Sequence, residues 1–503
     1  MISRNNDLAW AAAIVATLAL ILIVNPVGFV GGGWDDWEYL NAARCWVQQG
    51  PCLPTDHWQG RWPIIAPLAA VIALLGESRL TVGLPSLAYS IGCLLLLGWL
   101  GNRLAGRPAG YIAALLLLVV PAFAIELVDP TVEAAELFFL LASACCVVLF
   151  RERPGPWIAF GAGLCLSLAF QVRETAVAGV PLALVAGWLL AKDRRTCWLA
   201  AIAGALLPLA AEMLVFWLAT GDPLWRRGLS VAHTQIPSSE LLGPIDRSRP
   251  PFFNPAYIAN WRHEPGIHVH WLVDGLLNLV ANAKAGITIA ASAALYAMYR
   301  GKIAAADRRL VGWSLLIALY WACFLIYVLA IDPKPRVMLV PITLTALALA
   351  VLLRDRMAAA GGLIPALSVL VVVVAVGLSV TLTQPQVGSS EAAVEGWAKR
   401  YPGQIETDQT ALRHLALIHA EREFADVTSD RPLLVLRLST RCSDWAEGTM
   451  KGAVVALDRS PMGLIDPPRQ REINNFCLFR YTRPVSPQAV ERASEAAPSG
   501  QTS

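Results

Sequence analysis

Apolar runs long enough to cross a lipid bilayer recur along most of this chain, and they constrain its fold more than any other feature. A spanning helix needs roughly 17–25 apolar residues. A soluble protein could not bury this content, because 56% of the 503 residues are hydrophobic and only 15% are charged. The sequence predicts an all-α polytopic membrane protein with about eleven transmembrane helices. The candidate spans are Leu8–Val30, Leu80–Leu100, Ala109–Ile125, Thr131–Phe150, Trp157–Val172, Thr175–Ala191, Cys197–Ala219, Gly275–Tyr299, Leu310–Ile331, Val337–Leu353 and Gly362–Thr381.

One further apolar run, Pro63–Leu75, is short and contains Pro67. As a helix it would reach only about 20 Å, so we expect it to lie in the membrane interface. Omitting it from the spans places most Lys and Arg residues of the short loops on one side, as the positive-inside rule requires. This bias predicts a cytoplasmic N-terminus, outer loops at residues 31–79 and 220–274, and an outer C-terminus.

The chain changes character after Thr381, so we predict a transmembrane domain over residues 1–382 and a small soluble α/β domain over 383–487. Residues 488–503 are poor in apolar side chains, which is typical of a disordered tail. The segments on which the α/β prediction rests are the helix-like Glu391–Arg400 and Thr410–Glu423 and the strand-like Pro432–Leu438, Gly452–Leu457 and Cys477–Tyr481.

Two pairs of cysteines fall in regions predicted to face outward. Cys45 and Cys52 share the first outer loop, and Cys442 and Cys477 share the C-terminal domain. An oxidising compartment would allow a disulfide in each pair. The sequence leaves open whether either pair is bonded.

Two adjacent acids, Asp35 and Asp36, follow the first span and a glycine turn, and Tyr39 lies one helical turn further on. A carboxylate near low-dielectric surroundings loses hydration, which raises its proton affinity and makes it a better general base. The alternative is that both acids cap the following helix.

A second acidic group consists of Asp129, Glu133 and Glu136, whose spacing of four and three residues stacks them on one helix face. Each acid would cost on the order of 2.5–3.5 kcal/mol near the bilayer centre. We therefore expect them to face a wet cavity or to lie near the outer surface. A merely polar helix end is the alternative, and it suits Asp129 better than Glu136.

Cations occur at the corresponding outer ends of other spans, namely Arg173, Lys334 and Arg336, with Lys284 as a weaker candidate. Arginine suits a phosphate ligand because its planar fork bonds two oxygens at once. The alternative is that these side chains snorkel to lipid headgroups.

His268 and His270 lie two residues apart in the second outer loop. They could hold a metal, as could Asp35 and Asp36, although an ordinary surface loop is the more frequent explanation of such histidines. The net charge of +3 is small and its basic residues are scattered, so a nucleic-acid partner is not expected.

Taken in order, these features resemble the polyprenyl-phosphate-dependent membrane glycosyltransferases of the C type (GT-C), the group of the protein O-mannosyltransferases and the lipid A aminoarabinose transferases. The resemblance covers roughly residues 8–355. The sequence departs from the family pattern at Asp36, where Glu is usual, at Arg173, where Lys is common, and at Val337, where Tyr is frequent. The matching segments are Asp35-Asp36 with Tyr39 and Ala43, Gly76–Leu80, Gly101–Arg107, Asp129-Pro130 with Leu137–Phe139, Arg173–Pro181, Gly221–Leu224, and Arg336 with Pro341.

The resemblance implies a GT-C-like fold and an inverting transfer of a sugar from a polyprenyl-phosphate-linked donor to a hydroxyl group. The acceptor would be lipid A, another lipid, a glycan or a protein, on the periplasmic side of a bacterial inner membrane. The bilayer, the donor and a membrane-associated acceptor are the expected partners. No cofactor is required, and a divalent metal stays an open alternative.

The resemblance also assigns roles to single residues. Asp35 would be the catalytic base, with Asp36 beside it orienting the sugar or the acceptor. Arg336, helped by Arg173 or Lys334, would hold the donor phosphate. The other substrate-binding residues it implies are Tyr39, Asp129 and Glu133.

Two other classes would share many of these features. A flippase or transporter of a lipid-linked sugar also has many spans and intramembrane charges, but paired repeats with broken helices are not evident in the sequence. A polysaccharide polymerase or ligase would use a diphosphate-linked oligosaccharide instead. The large outer loop beside an acid pair suits an enzyme better than a transporter, and the polymerase or ligase is the closer alternative.

Overall fold

The structure is a computed structural model of the 503-residue chain. The residues it describes are 4–24, 34–127, 130–191, 194–234, 269–282, 284–329, 331, 333–359, 396–397, 399–401, 405–407, 434–439, 454–459 and 475–481. The chain divides into two compact units, one of Met1–Gly28 and Glu38–Gly377 and one of Phe29–Trp37 and Leu378–Ser503.

Helices make up most of the described residues. Numbered in chain order, they are α1 (Arg4–Val24), α2 (Trp34–Gln49), α3 (Trp62–Leu75), α4 (Arg79–Ala105), α5 (Arg107–Val119), α6 (Pro121–Glu126), α7 (Val132–Glu152), α8 (Pro156–Val172), α9 (Gly179–Ala191), α10 (Arg195–Thr220), α11 (Trp225–Thr234), α12 (Trp271–Ala281), α13 (Gly286–Tyr299), α14 (Ala305–Cys323) and α15 (Leu339–Ala359). A 3-10 turn, Glu174–Ala178, joins α8 to α9, and a π-helical turn, Phe324–Val328, extends α14.

Among the described residues, four helices are both long and apolar enough to cross a membrane: Leu80–Ala105, Val132–Glu152, Arg195–Thr220 and Ala305–Val328. Further apolar helices are shorter, including α3, α5 and α8. The outward face of α10 exposes large apolar side chains such as Leu206, Leu214 and Leu218, as expected of a face in contact with lipid. The chain is a multi-pass membrane protein.

Two of the predicted spans are each divided between two helices. The run Ala109–Ile125 is broken at Val120, whose backbone is extended, and Pro121 then begins α6. Proline is favoured at a helix start because it has no N–H to leave unpaired. The run Gly275–Tyr299 is divided between α12 and α13, and the predicted span Gly362–Thr381 lies outside the described residues.

Helices α8 and α10 approach each other through glycines. A Cβ atom at Gly163 would collide with the backbone carbonyl oxygen of Ala201, and one at Gly204 would collide with that of Phe160. Small residues permit such backbone contacts between membrane helices. This contact joins the N-terminal half of α8 to α10, and α8 then continues to Val172, directly before Arg173.

The described strands of the second unit form a four-stranded sheet. They are β1 (Ile405–Thr407), β2 (Leu434–Ser439), β3 (Val454–Arg459) and β4 (Asn475–Tyr481), in the order β1-β2-β4-β3. Strands β1 and β2 are parallel, and β4 is antiparallel to both of its neighbours. Three of the strands coincide with the predicted strand-like runs. The helix-like stretch Thr410–Glu423 and the tail 488–503 lie outside the described residues, so the α/β class of this domain stays a prediction.

Candidate active site

Asp35 and Asp36 lie in the first turn of α2, which begins at Trp34. A first-turn carboxylate is stabilised by the partial positive charge of the helix N-terminus. Asp36 is buried, with 3% of its surface exposed, whereas Asp35 is partly exposed. Neither acid occupies the N-cap position, which is the residue before the helix. Both can still interact with the partial positive charge at the N-terminus of α2.

Tyr39, also in α2, is fully buried and is paired with Arg61. Arg61 Nη1 donates a hydrogen bond to the Tyr39 hydroxyl, and the guanidinium carbon lies 5.7 Å from the centre of the Tyr39 ring. Arg61 is itself buried, and it stands just before α3. Nothing in the local sequence around Arg61 indicates that this arginine is buried.

Glu133, in the first turn of α7, is the acid at which two of the predicted cations meet. Its Oε1 atom lies 3.1 Å from Arg173 Nη1 and 3.7 Å from Arg336 Nε. Arg61 is close enough to act on it electrostatically. Glu133 is buried, whereas the Arg336 side chain is 42% exposed. The structure thus places Arg173 and Arg336 beside Glu133, with Arg61 within electrostatic range of the same carboxylate.

Glu136 lies one turn further into α7 and is also buried. The Thr175 hydroxyl donates to its Oε1 atom at 2.5 Å. Glu133 and Glu136 therefore share a helix face, as predicted, but they contact different groups. Asp129, the third acid of the predicted stripe, lies outside the described residues.

Lys334 and Arg336 belong to the turn that leads into α15. The Lys334 and Pro335 carbonyls accept hydrogen bonds from the amides of Val337 and Met338 at 3.0 and 3.1 Å. These bonds fix the backbone at Arg336. The weaker candidate Lys284 lies within electrostatic range of both Glu126 and Arg336.

The predicted metal ligands do not form a cluster within the described part of the chain. No group of three or more metal-binding side chains is found among the residues that the structure describes. His270 precedes α12, and its Nδ1 atom accepts a hydrogen bond from the Leu272 amide at 3.3 Å, which is a capping role. His268 lies outside the described residues.

One of the two cysteine pairs is bonded within the described residues. Cys45, in α2, forms a disulfide with Cys52. Cys477 is also disulfide-bonded, and Cys442 lies outside the described residues.

Residues 63–219 match the family described as dolichyl-phosphate-mannose-protein mannosyltransferase. This segment contains Glu133, Glu136 and Arg173. The match confirms the resemblance predicted from the sequence, to the polyprenyl-phosphate-dependent membrane glycosyltransferases of the C type. It spans less than half of the chain, and no curated protein matches the sequence significantly.

Two solved structures of ArnT from Cupriavidus metallidurans are similar to the chain. The structure bound to undecaprenyl phosphate is 13% identical, with a TM-score of 0.44 over 82% of this chain and 69% of that chain. The apo structure is 15% identical, with a TM-score of 0.40 over 82% of this chain and 68% of that chain. At these scores the likeness does not decide the fold.

Proposed function

We propose that the protein transfers a sugar from a polyprenyl-phosphate-linked donor to a hydroxyl group of a membrane-associated acceptor, with inversion at the anomeric carbon. The family match supports this class, because its description names a mannosyltransferase with a dolichyl phosphate donor. The observation that carries the proposal is the buried Glu133 carboxylate with Arg173 and Arg336 beside it.

The charges of this group favour an anionic ligand. Glu133 contributes one negative charge, while Arg173, Arg336 and Arg61 contribute three positive charges around it. A phosphodiester would lower the net charge of these four side chains from +2 to +1. Arg336 is its most accessible member, since 42% of its side chain is exposed, and a guanidinium can bond two phosphate oxygens at once. We propose that Arg336 receives the donor phosphate, and that Arg173, held by Glu133, supports it.

The proposed chemistry needs one base and a stabilised leaving group. The acceptor oxygen attacks the anomeric carbon while Asp35 removes its proton, and the bond between that carbon and the phosphate oxygen breaks. The released polyprenyl phosphate carries the negative charge that Arg336 and Arg173 stabilise. Asp36, Tyr39, Asp129 and Lys334 are proposed to orient the sugar, the acceptor or the phosphate. No metal is required by this scheme.

We further propose that the reaction takes place on the periplasmic side of a bacterial inner membrane. The support is the distribution of Lys and Arg between the two sets of short loops. The Cys45–Cys52 disulfide, in the predicted first outer loop, agrees with an oxidising compartment there.

The test is transfer of labelled sugar from polyprenyl phosphate donors to a membrane-lipid extract by the purified full-length protein. Wild type should transfer sugar, and Asp35→Asn and Arg336→Ala should each reduce kcat/KM by about 10²–10³. Asp56→Asn is the matched control. Asp56 Oδ1 accepts a hydrogen bond from the Gln59 backbone N–H at 2.9 Å, and the asparagine side-chain oxygen can accept the same bond.

The outcomes separate the parts of the proposal. Undiminished transfer by Asp35→Asn would refute Asp35 as the base. If wild type transfers sugar from no donor but moves the donor across proteoliposomes, the protein is a flippase. Transfer only from diphosphate-linked oligosaccharides would indicate a polymerase or ligase.

A further inference from the structure

Arg226, in α11, is a buried arginine to which the proposed reaction assigns no role. Only 10% of its side chain is exposed, yet it has four described acceptors. Its Nη1 atom donates to Glu212 Oε1 at 3.1 Å. Its Nη2 atom lies 2.9 Å from the Gln171 carbonyl oxygen, 3.4 Å from that of Phe170 and 3.0 Å from Glu174 Oε1.

Three of these acceptors lie on either side of Arg173 in the sequence. Phe170 and Gln171 lie in the last turn of α8, which ends at Val172, and Glu174 follows Arg173 directly. The last carbonyls of a helix have no partner within the helix, so a cation that binds them fixes the helix end. Arg226 therefore holds the backbone immediately before Arg173 and the side chain immediately after it.

The fourth acceptor ties this arrangement to α10. Glu212 belongs to α10, and Gln171 Nε2 donates to the Pro208 carbonyl of the same helix at 2.9 Å. Helix α10 is in turn in backbone contact with α8 through Gly163 and Gly204. The end of α8 is thus anchored on two sides.

Helix α11 is also attached to the loop that precedes Arg61. Trp225 Nε1 donates to the Pro54 carbonyl at 3.0 Å, and a Cβ atom at Gly60 would lie 3.8 Å from Arg226 Cγ. These contacts seat α11 and keep the Arg226 side chain directed at the end of α8.

We propose that Arg226 is a positioning residue that fixes Arg173 in the orientation in which it contacts Glu133 and the donor phosphate. The inference rests on the proposed function, since it takes Arg173 to act on that phosphate. Lysine should replace Arg226 poorly. All N–H donors of lysine share one nitrogen, whereas Arg226 bonds Glu212 through Nη1 and the Gln171 carbonyl and Glu174 through Nη2.

The first test measures kcat, the donor KM and the inhibition constant of polyprenyl phosphate for Arg226→Lys, which keeps the charge. A misplacement of about 1 Å can cost roughly 100-fold in rate, so we expect kcat/KM to fall by about 10–100-fold and the inhibition constant to rise. Arg227→Lys is the matched control, because Arg227 is the exposed neighbour on the same helix, and it should change kcat/KM less than about twofold.

The second test separates positioning of Arg173 from a general structural role, by making Arg226→Lys in an Arg173→Gln background. If Arg226 acts through Arg173, adding Arg226→Lys to Arg173→Gln should lower kcat/KM by less than about threefold more. The effects of two substitutions are not additive when the residues act together. An equally large loss in both backgrounds would overturn the inference while leaving the proposed function intact. No effect of Arg173→Gln by itself would overturn the inference and the supporting role proposed for Arg173, while sugar transfer by wild type would stand.

Glu174→Gln tests the same inference if Arg226→Lys does not fold. It removes the charge of one Arg226 partner whose side chain is 42% exposed, so the fold should tolerate it. We expect a severalfold loss of kcat/KM that disappears in the Arg173→Gln background. Wild-type kinetics for Glu174→Gln would contradict the inference.

Discussion

Replacing Arg173 by Gln should destabilise the protein, because the buried Glu133 carboxylate loses its nearest cation. Glu133 is 5% exposed and the Arg173 side chain 17% exposed, so this is a buried pair and not a surface ion pair. Removing one partner of a buried pair costs about 3–5 kcal/mol. Arg336, 3.7 Å from the same oxygen, still compensates part of the charge, so we expect a loss near the lower end, about 3 kcal/mol.

Glu133→Gln in the presence of Arg173 should cost about 2 kcal/mol, since it leaves two cations facing each other. Combining Arg173→Gln with Glu133→Gln removes the unpaired charge, and the double variant should lose about 2 kcal/mol in total. The expected coupling is therefore about 3 kcal/mol in favour of the pair.

The assay is reversible unfolding of the purified protein in mixtures of mild detergent and SDS, for wild type, both single variants and the double variant. The cycle isolates the interaction from the cost of each substitution alone. Additive losses, with a coupling below about 0.5 kcal/mol, would refute the interaction between Glu133 and Arg173.

Three further results are expected. Arg336→Ala should reduce kcat/KM by about 10²–10³. It should lower the unfolding free energy by less than about 1 kcal/mol, because the Arg336 side chain is 42% exposed; a stability loss as large as that of Arg173→Gln would contradict this. Gly163→Ala should cost about 1–3 kcal/mol in the same unfolding assay, because α10 backbone already fills that space. Gly161→Ala, in the same helix, would meet only Cys146 Sγ at 3.5 Å and should cost less than about 0.5 kcal/mol; equal effects would refute the close helix contact. Reducing the Cys45–Cys52 disulfide should lower the unfolding free energy by roughly 2–3 kcal/mol, and alkylation of both thiols without prior reduction would show that the bond is not formed.

Residue types at the ends of apolar runs predicted much of the candidate site. The acids were expected to face a wet cavity or the outer surface and the arginines to bind phosphate, and the family resemblance assigned Glu133, Arg173 and Arg336 to substrate binding. In the structure Glu133 lies beside both arginines, while their roles stay predictions. The catalytic role of Asp35 stays a prediction.

Arg61 and Arg226 could not be found in the same way. Arg61 lies in a loop and Arg226 in a short helix, and at such positions an arginine is most often exposed. Their burial depends on contacts with Tyr39 and with the end of α8, which are 22 and 55 residues away in the sequence. Such distant contacts leave no local signal.

The helix boundaries were less predictable than the apolar runs. Hydropathy does not distinguish a straight span from two helices with a break between them. Pro121 carried a signal for such a break, since proline favours a helix start, but the break between α12 and α13 lies at Asn282–Ala285, without proline.

The backbone contact between α8 and α10 has an evolutionary consequence. Any side chain at Gly163 or Gly204 would meet the opposite main chain, so substitutions at these positions should be removed by selection in proteins that keep this packing. Both glycines should then be as invariant among homologues as the charged residues that α8 leads to. Such invariance would result from helix packing. A method that ranks positions by conservation alone would wrongly assign these two glycines to the active site.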